Sequence, residues 1–187
     1  MRERPLILLS LIAATTVAAC SPKLGVSEQR VALIPPTARA ELRDSAGRAI
    51  GEVTLEETPH GLLVLGAISG LLSGVHGLHI HSTGECRPPF TSAGPHFNPG
   101  NKKHGVRNTE GAHAGDAPNI SVDANGTAKF DALLAGASLE LGSHPVLDSD
   151  GAAIIVHAAA DDYRTDPSGN SGGRIACGVI ERQTLRP

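Results

Sequence analysis

The sequence predicts an all-β fold, either a sandwich or a barrel of short strands. Short runs of alternating apolar and polar residues recur along the chain and are separated by turn signals, without a long amphipathic helical pattern. Glycine accounts for 22 of the 187 residues, which favours turns over long helices. Aromatic residues make up only 2% and Trp is absent, so the core must be built from Ala, Val, Leu and Ile.

The first predicted strands follow one another closely. Residues 38–43 alternate between apolar and charged side chains, and residues 44–47 read as a turn. A second alternating run covers residues 52–56, and the turn at 58–61 leads into the apolar run 62–68. Such a succession is typical of a β-sandwich or barrel.

Strand signals return in the second half of the chain. Residues 120–122 lead into the turn 123–126, which is followed by a strand over 127–134. Residues 152–157 form an apolar strand that ends in a histidine, and residues 174–180 form the last strand.

Two long loops interrupt this pattern. Residues 82–118 are rich in Gly, Pro, Asn and His and show no sustained period, and residues 161–173 are rich in glycine. A long loop inside a compact domain is usually functional or disordered. The first loop carries Cys86 and four possible metal ligands, so a disulfide and a metal would give it order.

A histidine-rich stretch lies between the third predicted strand and the first loop. Its sequence is Gly74-Val-His-Gly-Leu-His-Ile-His81, which suits an extended strand. Because residues two apart share a face of a strand, His79 and His81 would lie side by side and His76 would point the other way. A His-x-His pair alone leaves a metal site and ordinary structural histidines both open.

The remaining candidate ligands decide between these readings. His157 ends a strand, and the first loop supplies His96, His104, His113 and Asp116. A site of nitrogen ligands suits Cu(II), whereas three His and one carboxylate suit Zn. Two such sites from seven residues require a shared ligand. A deprotonated imidazole can bridge two metals, and His96 is the candidate.

Other polar residues have simpler interpretations. His60 and His144 lie beside turns and are predicted to be surface residues. Lys102, Lys103 and Arg107 form a basic cluster that either attracts an anionic substrate or belongs to a solvated loop. The formal net charge of -3, without a basic stripe or aromatic platform, argues against nucleic-acid binding.

The N-terminus resembles a bacterial lipoprotein signal. Arg2 and Arg4 precede a short apolar run over residues 6–14, and small residues stand immediately before Cys20. The resemblance implies cleavage before Cys20 and lipid attachment to it; an ordinary signal peptide with an incidental Cys is the alternative. Ser21 favours sorting to the outer over the inner membrane.

These features predict three segments. Residues 1–19 are the signal peptide, residues 20–37 the lipidated Cys and a tether, and residues 38–187 the folded domain. If Cys20 is lipidated, Cys86 and Cys177 remain. An exported location permits a disulfide between them, and two free buried thiols are the alternative.

The motifs together resemble those of the copper/zinc superoxide dismutase family, of the bacterial exported type, over roughly residues 38–181. The motifs that carry the resemblance are Gly74–His81, Thr91-Ser-Ala-Gly-Pro-His-Phe-Asn-Pro99, His113-Ala-Gly-Asp116, Val156-His157 and Gly173-Arg-Ile-Ala-Cys-Gly-Val-Ile180. The resemblance implies an immunoglobulin-like Greek-key β-sandwich, or flattened eight-stranded barrel, with two long functional loops.

The resemblance also implies residue roles. The implied copper ligands are His79, His81, His96 and His157. The implied zinc ligands are His96, His104, His113 and Asp116. Arg174 would guide superoxide to copper, Asp161 would link a copper histidine to a zinc histidine, and Cys86 and Cys177 would form the disulfide. His76 would support loop packing.

The implied activity is dismutation of superoxide by copper cycling between Cu(II) and Cu(I) beside a redox-inert zinc. Arg174 and His96 would be catalytic, with His96 taking up a proton when copper is reduced and returning it to peroxide. The expected location is the periplasm of a bacterial cell envelope, with the lipid on Cys20 in the membrane. The sequence is compatible with both a monomer and a homodimer. The alternatives are a non-catalytic copper or zinc carrier and a purely structural sandwich domain.

Overall fold

The computed structural model describes residues 37–142 and 144–183, and their regular secondary structure is almost entirely β-strand. The predicted signal peptide, Cys20 and most of the predicted tether lie outside the described residues. The strands, β1 to β10 in chain order, are Thr37–Asp44, Ala49–Thr58, Gly61–Ser69, Gly74–His76, Leu78–His81, Ile120–Val122, Thr127–Leu134, Ala153–His157, Arg174–Val179 and Glu181–Arg182. One turn of 3₁₀ helix covers Thr91–Ala93. Within the described ranges, no helix has the length and apolarity needed to cross a membrane.

Most strands belong to one antiparallel sheet in the order β5-β8-β9-β1-β2-β3-β7, with β10 paired to β1. A separate two-stranded ribbon pairs β4 with β6. Because β3 pairs with β7 and β5 with β8, the chain crosses between distant strands rather than running as a simple meander. The predicted all-β architecture is confirmed, and each strand expected from the alternation in the sequence is present.

The core is aliphatic, as the composition requires. On β1, Ala38, Ala40 and Leu42 are completely buried and alternate with exposed charged residues. Val53 and Leu55 on β2 face the same interior and are also completely buried. The period of two places one face of each strand in the core, where burial of apolar area is the main stabilising term.

Strands β5 and β8 differ, because every one of their residues is buried. Leu78 and Ile80 of β5 belong to the main core, whereas His79 and His81 alternate with them and face the other way. The long loop after β5 covers this second face. A strand buried on both sides is therefore the support on which the candidate site is built.

The histidine stretch is not one strand, and in this respect the prediction was wrong. Strand β4 ends at His76, and Gly77 separates it from β5, which lies in the other sheet. A Cβ on Gly77 would lie 3.0 Å from the Ser171 side chain and 3.3 Å from the His79 ring, so a larger residue would be crowded where the chain passes from one sheet to the other. The His76 ring lies between two carbonyls, with Nδ1 2.8 Å from His157 O and Nε2 3.0 Å from Leu72 O.

The long loop is attached to the sheet by a disulfide. Cys86 in the loop is bonded to Cys177 on β9, with a Cα–Cα distance of 5.7 Å. The predicted pairing is confirmed. Cys177 is buried in a small cluster with Phe90, Ala153 and Ile155, so the disulfide secures the beginning of the loop against β8 and β9.

Replacing both cysteines, Cys86→Ser with Cys177→Ser, should lower the free energy of unfolding of the metal-free domain by about 4–5 kcal/mol. The disulfide spans 91 residues, and a cross-link over a loop of that length restricts the unfolded chain by roughly this amount. Denaturant unfolding of both proteins measures the difference. If the free energy of unfolding falls by less than about 1 kcal/mol, the disulfide does not stabilise the domain by closing this loop.

Candidate metal centre

The pairing of strands brings histidines from distant parts of the chain together. Strand β5 pairs with β8, which places His79 and His81 beside the strand that ends at His157. The long loop returns to β5 through two isolated backbone bridges, His81 with His96 and His79 with Asp116. These bridges place loop side chains directly against the buried face of β5.

The first cluster contains four buried imidazoles, from His79, His81, His96 and His157. One ring nitrogen from each lies within 4.8 Å of the others. His81 Nδ1 donates to Gly94 O at 2.8 Å, and His157 Nδ1 donates to Gly172 O at 3.3 Å. The Nε2 atoms of these two rings are 3.4 Å apart. With both protons on Nδ1, neither Nε2 has a hydrogen to donate, so this approach is a convergence of two lone pairs.

The other two rings present a free nitrogen to the same space. His79 Nε2 donates to Asp161 Oδ2 at 2.8 Å, which leaves Nδ1 as the acceptor nitrogen. Within the described residues, His79 Nδ1 and His96 Nε2 are buried without a hydrogen-bond partner. An unpaired buried polar atom is costly, and a metal ion satisfies four such lone pairs at once. An all-imidazole donor set suits copper.

Burial keeps His81, His96 and His157 neutral. Burial, with a contribution from the neighbouring His96, lowers the pKa of His81 to about 2. Burial and the nearby His79 lower the pKa of His157 to about 3. Burial also lowers the pKa of His96 to about 4, although the hydrogen bond to Asp116 opposes the shift. At neutral pH the rings therefore keep the lone pairs that metal binding requires.

The second cluster surrounds one oxygen of Asp116. Its Oδ1 lies 2.9 Å from His96 Nδ1, 3.1 Å from His104 Nδ1 and 3.2 Å from His113 Nδ1. His96 Nδ1 and His113 Nδ1 are 3.4 Å apart. Neighbouring ligands of a tetrahedral zinc with bonds near 2.05 Å are separated by roughly 3.3 Å, and these four distances of 2.9–3.4 Å are close to that value.

Backbone donors hold Asp116 in this orientation. Its Oδ2 accepts from Gly105 N at 2.8 Å and from His113 N at 3.0 Å, which leaves Oδ1 facing the imidazoles. Burial alone would raise the pKa of Asp116, but hydrogen bonds, above all from His104, hold it well below its usual range. Burial likewise opposes protonation of His104, but the carboxylates of Asp116 and Asp161 raise its pKa to about 9. Bound zinc would displace that proton from Nδ1.

His79 is an alternative to His113 as the fourth ligand of the second cluster. The four donors that lie within 4.8 Å of one another are His79, His96, His104 and Asp116, without His113. His79, however, donates through Nε2 to Asp161 and directs Nδ1 into the first cluster. His113 Nδ1 lies against Asp116 Oδ1 and is the better ligand on chemical grounds.

Asp161 joins the two clusters. Its Oδ2 lies 2.8 Å from His79 Nε2, and its two oxygens lie 2.9 Å and 3.0 Å from His104 Nε2. The carboxylate is completely buried. Burial would raise the pKa of Asp161, but hydrogen bonds from His104 and His79 lower it well below the usual range. Asp161 accepts hydrogen bonds from Nε2 of His79 and Nε2 of His104. It therefore keeps a proton on each Nε2 and leaves each Nδ1 to face a metal.

A cleft of about 1120 Å³ opens onto the first cluster, and Arg174 lines it together with His81, His96 and His157. Arg174 lies opposite His157 in the pairing of β8 with β9. Its Nη1 donates to Phe90 O at 2.6 Å and its Nη2 to Gly94 O at 2.7 Å. The carbonyl of Gly94 therefore holds both Arg174 and His81.

The charged rim of the cleft is mixed. Lys102 and Lys103 line it, but so do acidic residues, and Arg107 of the predicted basic cluster lies instead over the Tyr163 ring, 5.3 Å from its centroid. His60 and His144 are both exposed, as predicted, although His144 lies on this rim. In addition to burial, the positive charge of Arg174 contributes to the lowered pKa of both His81 and His157.

Sequence reasoning missed the residues that surround Asp161. Asn119 and Tyr163 both contact it or its neighbours, and a Cβ on Gly169 would lie 1.7 Å from Asp161 Oδ1. None of these residues follows a periodic pattern or belongs to a ligand type. The family resemblance predicted Asp161 itself but none of the residues that contact it.

Comparisons with known proteins agree with this geometry. A family model described as copper/zinc superoxide dismutase (SODC) matches residues 49–180. "Superoxide dismutase (Cu-Zn) 2" of Aquifex aeolicus is 45% identical over 76% of this chain and 85% of its own. "Superoxide dismutase-like protein YojM" of Bacillus subtilis is 41% identical, covering 94% of this chain and 95% of its own. The crystal structure of a SOD-like protein from Bacillus subtilis has a TM-score of 0.72 and 43% identity, over 75% of this chain and 96% of that one.

The Asp161→Asn substitution should weaken metal binding by about 10- to 100-fold, because an amide cannot accept hydrogen bonds from both imidazoles through two oxygens. Competition with a chelator of known affinity measures this for copper and zinc separately. Asp131→Asn, on the exposed side of β7, is the matched control and should leave both affinities unchanged. Equal affinities in the Asp161 variant and the native protein would contradict the bridging role.

Proposed function

The chain belongs to the copper/zinc superoxide dismutase family, and we propose that its two histidine clusters hold one copper ion and one zinc ion that share His96. Its reaction is the dismutation of two superoxide anions, with two protons, to dioxygen and hydrogen peroxide. The observation that carries the assignment is the convergence of four buried imidazole nitrogens, three of them from residues that line a cleft together with Arg174. The proposed copper ligands are His79 Nδ1, His81 Nε2, His96 Nε2 and His157 Nε2. The proposed zinc ligands are His96 Nδ1, His104 Nδ1, His113 Nδ1 and Asp116 Oδ1.

Copper in the first cluster would supply the one-electron redox change that both half-reactions need. His96 is the residue that we propose to move a proton. Its Nε2 is buried, lacks a partner among the described residues and borders the cleft. With Nδ1 held at the second cluster, Nε2 is the ring position left to take up a proton, and it borders the cleft in which the anionic product would form.

Arg174 prepares the cleft for an anion. Two carbonyls, of Phe90 and Gly94, hold the guanidinium in one orientation beside the imidazoles. A guanidinium stays charged at physiological pH even when burial lowers its pKa, as it does here. The chain is formally negative at -3, so attraction of superoxide must come from this local charge rather than from the whole protein.

The second cluster has a supporting role. Zinc is redox-inert and takes a fixed tetrahedral set of ligands. His104, His113 and Asp116 would tie the long loop to one point, and His96 Nδ1 would be held there while Nε2 faces the cleft. This arrangement keeps His96 oriented during turnover.

A non-catalytic copper or zinc carrier on the same scaffold is the second candidate. The name of the Bacillus subtilis relative, which calls it superoxide dismutase-like, motivates this alternative. A carrier needs ligands but neither a guided approach for an anion nor a mobile proton. The complete copper cluster beside a firmly held Arg174 supports the enzyme.

We further propose that the mature protein is a lipoprotein anchored through Cys20 in the bacterial cell envelope. The charged start, the apolar run and the small residues before Cys20 support this. The disulfide supports an oxidising compartment. The protein would then remove superoxide in the periplasm, with the outer membrane favoured over the inner. Mass spectrometry of the native protein would reveal the lipid, and an unmodified Cys20 would contradict the anchor.

The first test is superoxide consumption by residues 21–187 loaded with copper and zinc, with the bound metals quantified. We expect fast consumption with about one copper and one zinc per chain, because the two donor sets share one histidine. Full metal occupancy without dismutation would contradict the enzyme and favour the carrier.

The Arg174→Ala substitution should slow superoxide consumption by about tenfold or more and should flatten its dependence on ionic strength, because the local positive charge is lost. Lys129→Ala removes the same charge from β7, away from the cleft, and serves as the control. Copper content is measured in parallel. Native kinetics in the Arg174 variant with copper fully bound would contradict the guiding role.

A further inference from the structure

We propose that Tyr163, together with Asn119, is a positioning residue that fixes Asp161 and thereby slows the loss of zinc. The two residues are called here the Tyr163 clamp. The proposal rests on the proposed zinc ligands, since the clamp acts on His104 through Asp161. It assigns a function to the only tyrosine in the chain.

Asn119 holds the backbone of Asp161. Its side-chain Oδ1 accepts from Asp161 N at 2.8 Å, and its Nδ2 donates to Asp161 O at 2.8 Å. This reciprocal pair satisfies both backbone groups of a buried residue with one amide side chain. Asn119 directly precedes β6, so it links the end of the long loop to the glycine-rich loop.

Tyr163 makes four separate contacts within this region. Its backbone N donates to Asp161 Oδ1 at 2.6 Å, and its carbonyl accepts from Arg107 N at 2.9 Å. Its hydroxyl oxygen accepts from Asn119 N at 2.7 Å. The Arg107 guanidinium lies over its ring, 5.3 Å from the centroid. Tyr163 therefore touches the long loop twice, the residue before β6 once and the bridging carboxylate once.

The backbone of Tyr163 is strained, with φ at +63°. A bulky residue with positive φ is uncommon, and such a conformation persists only where several contacts enforce it. Here the contacts with Asn119 and Arg107 hold the side chain and carbonyl, and the left-handed backbone directs the N–H at Asp161. The strain is thus coupled to the orientation of the carboxylate.

The clamp lies beside a zinc ligand. A Cβ on Gly105 would lie 2.1 Å from Tyr163 O, so the residue after His104 approaches Tyr163 closely. Release of zinc requires His104 and its loop to move away from Asp116. That motion must also break the contacts with Tyr163, so the clamp opposes it.

The test compares Tyr163→Phe with the native protein, both loaded with copper and zinc. Excess chelator is added, and the release of zinc is followed directly. The variant lacks only the hydroxyl, so Asn119 N loses its acceptor while the ring remains. We expect zinc to dissociate about tenfold faster, at the low end of the effect of residues that orient metal ligands.

Ser121→Ala removes a hydroxyl from an exposed position on β6 and is the matched control, expected to release zinc at the native rate. Thermal unfolding of the metal-free proteins separates positioning from general stability. We expect similar midpoints for the Tyr163 variant and the native protein. Release of zinc from the Tyr163 variant at the native rate would overturn the proposal. A fall in the unfolding midpoint of the metal-free variant, large enough to account for faster release, would overturn it too.

A second measurement uses the native chain. Trp is absent and Tyr163 is the single tyrosine, so the intrinsic tyrosine emission reports on this residue alone. We expect removal of zinc to change the emission and added zinc to restore it. Unchanged emission would overturn the coupling. Both measurements follow zinc or the clamp itself, so a failure of superoxide dismutation would leave their outcome unaffected.

Discussion

Asp161 accepts hydrogen bonds from His79 on β5 and from His104 on the long loop, and the geometry of both clusters depends on this buried carboxylate. An ionised carboxylate inside a protein must be surrounded by donors, which here are two imidazoles and the backbone N of Tyr163. Because both rings donate at Nε2, their Nδ1 atoms are the ones left for metal binding, and zinc would displace the proton that the raised pKa of His104 keeps on its Nδ1. One interaction therefore prepares a ligand for each metal and sets the relative position of the two clusters.

The strands and the loops make different contributions to this centre. Strands β5 and β8 are paired and buried on both faces, and they supply three of the proposed copper ligands. The long loop supplies the proposed zinc ligands but has little regular structure of its own. It is ordered by the disulfide at Cys86, by backbone bridges to His79 and His81, and by the carboxylates. Residues from the loop thereby acquire the precision that catalysis requires.

Much of the fold and the candidate ligands could be predicted from the sequence, but for different reasons. Alternation along residues 38–43 and 127–134 predicted strands because a half-buried strand has a period of two. The same period placed His79 and His81 on one face. The break at Gly77 and the left-handed Tyr163 could not be predicted, because both depend on contacts with residues far away in the chain. The tautomers of the histidines could not be predicted either, because they depend on carbonyl and carboxylate groups that lie near the rings only in the folded chain.

The central claim is that His96 is shared between a copper ion and a zinc ion. Anomalous diffraction from crystals of the metal-loaded domain, recorded at the copper and zinc absorption edges, tests it most directly. The account predicts copper among His79, His81, His96 and His157, zinc among His96, His104, His113 and Asp116, and the His96 ring between the two ions. Two metals at other positions, or a His96 that contacts only one of them, would contradict it.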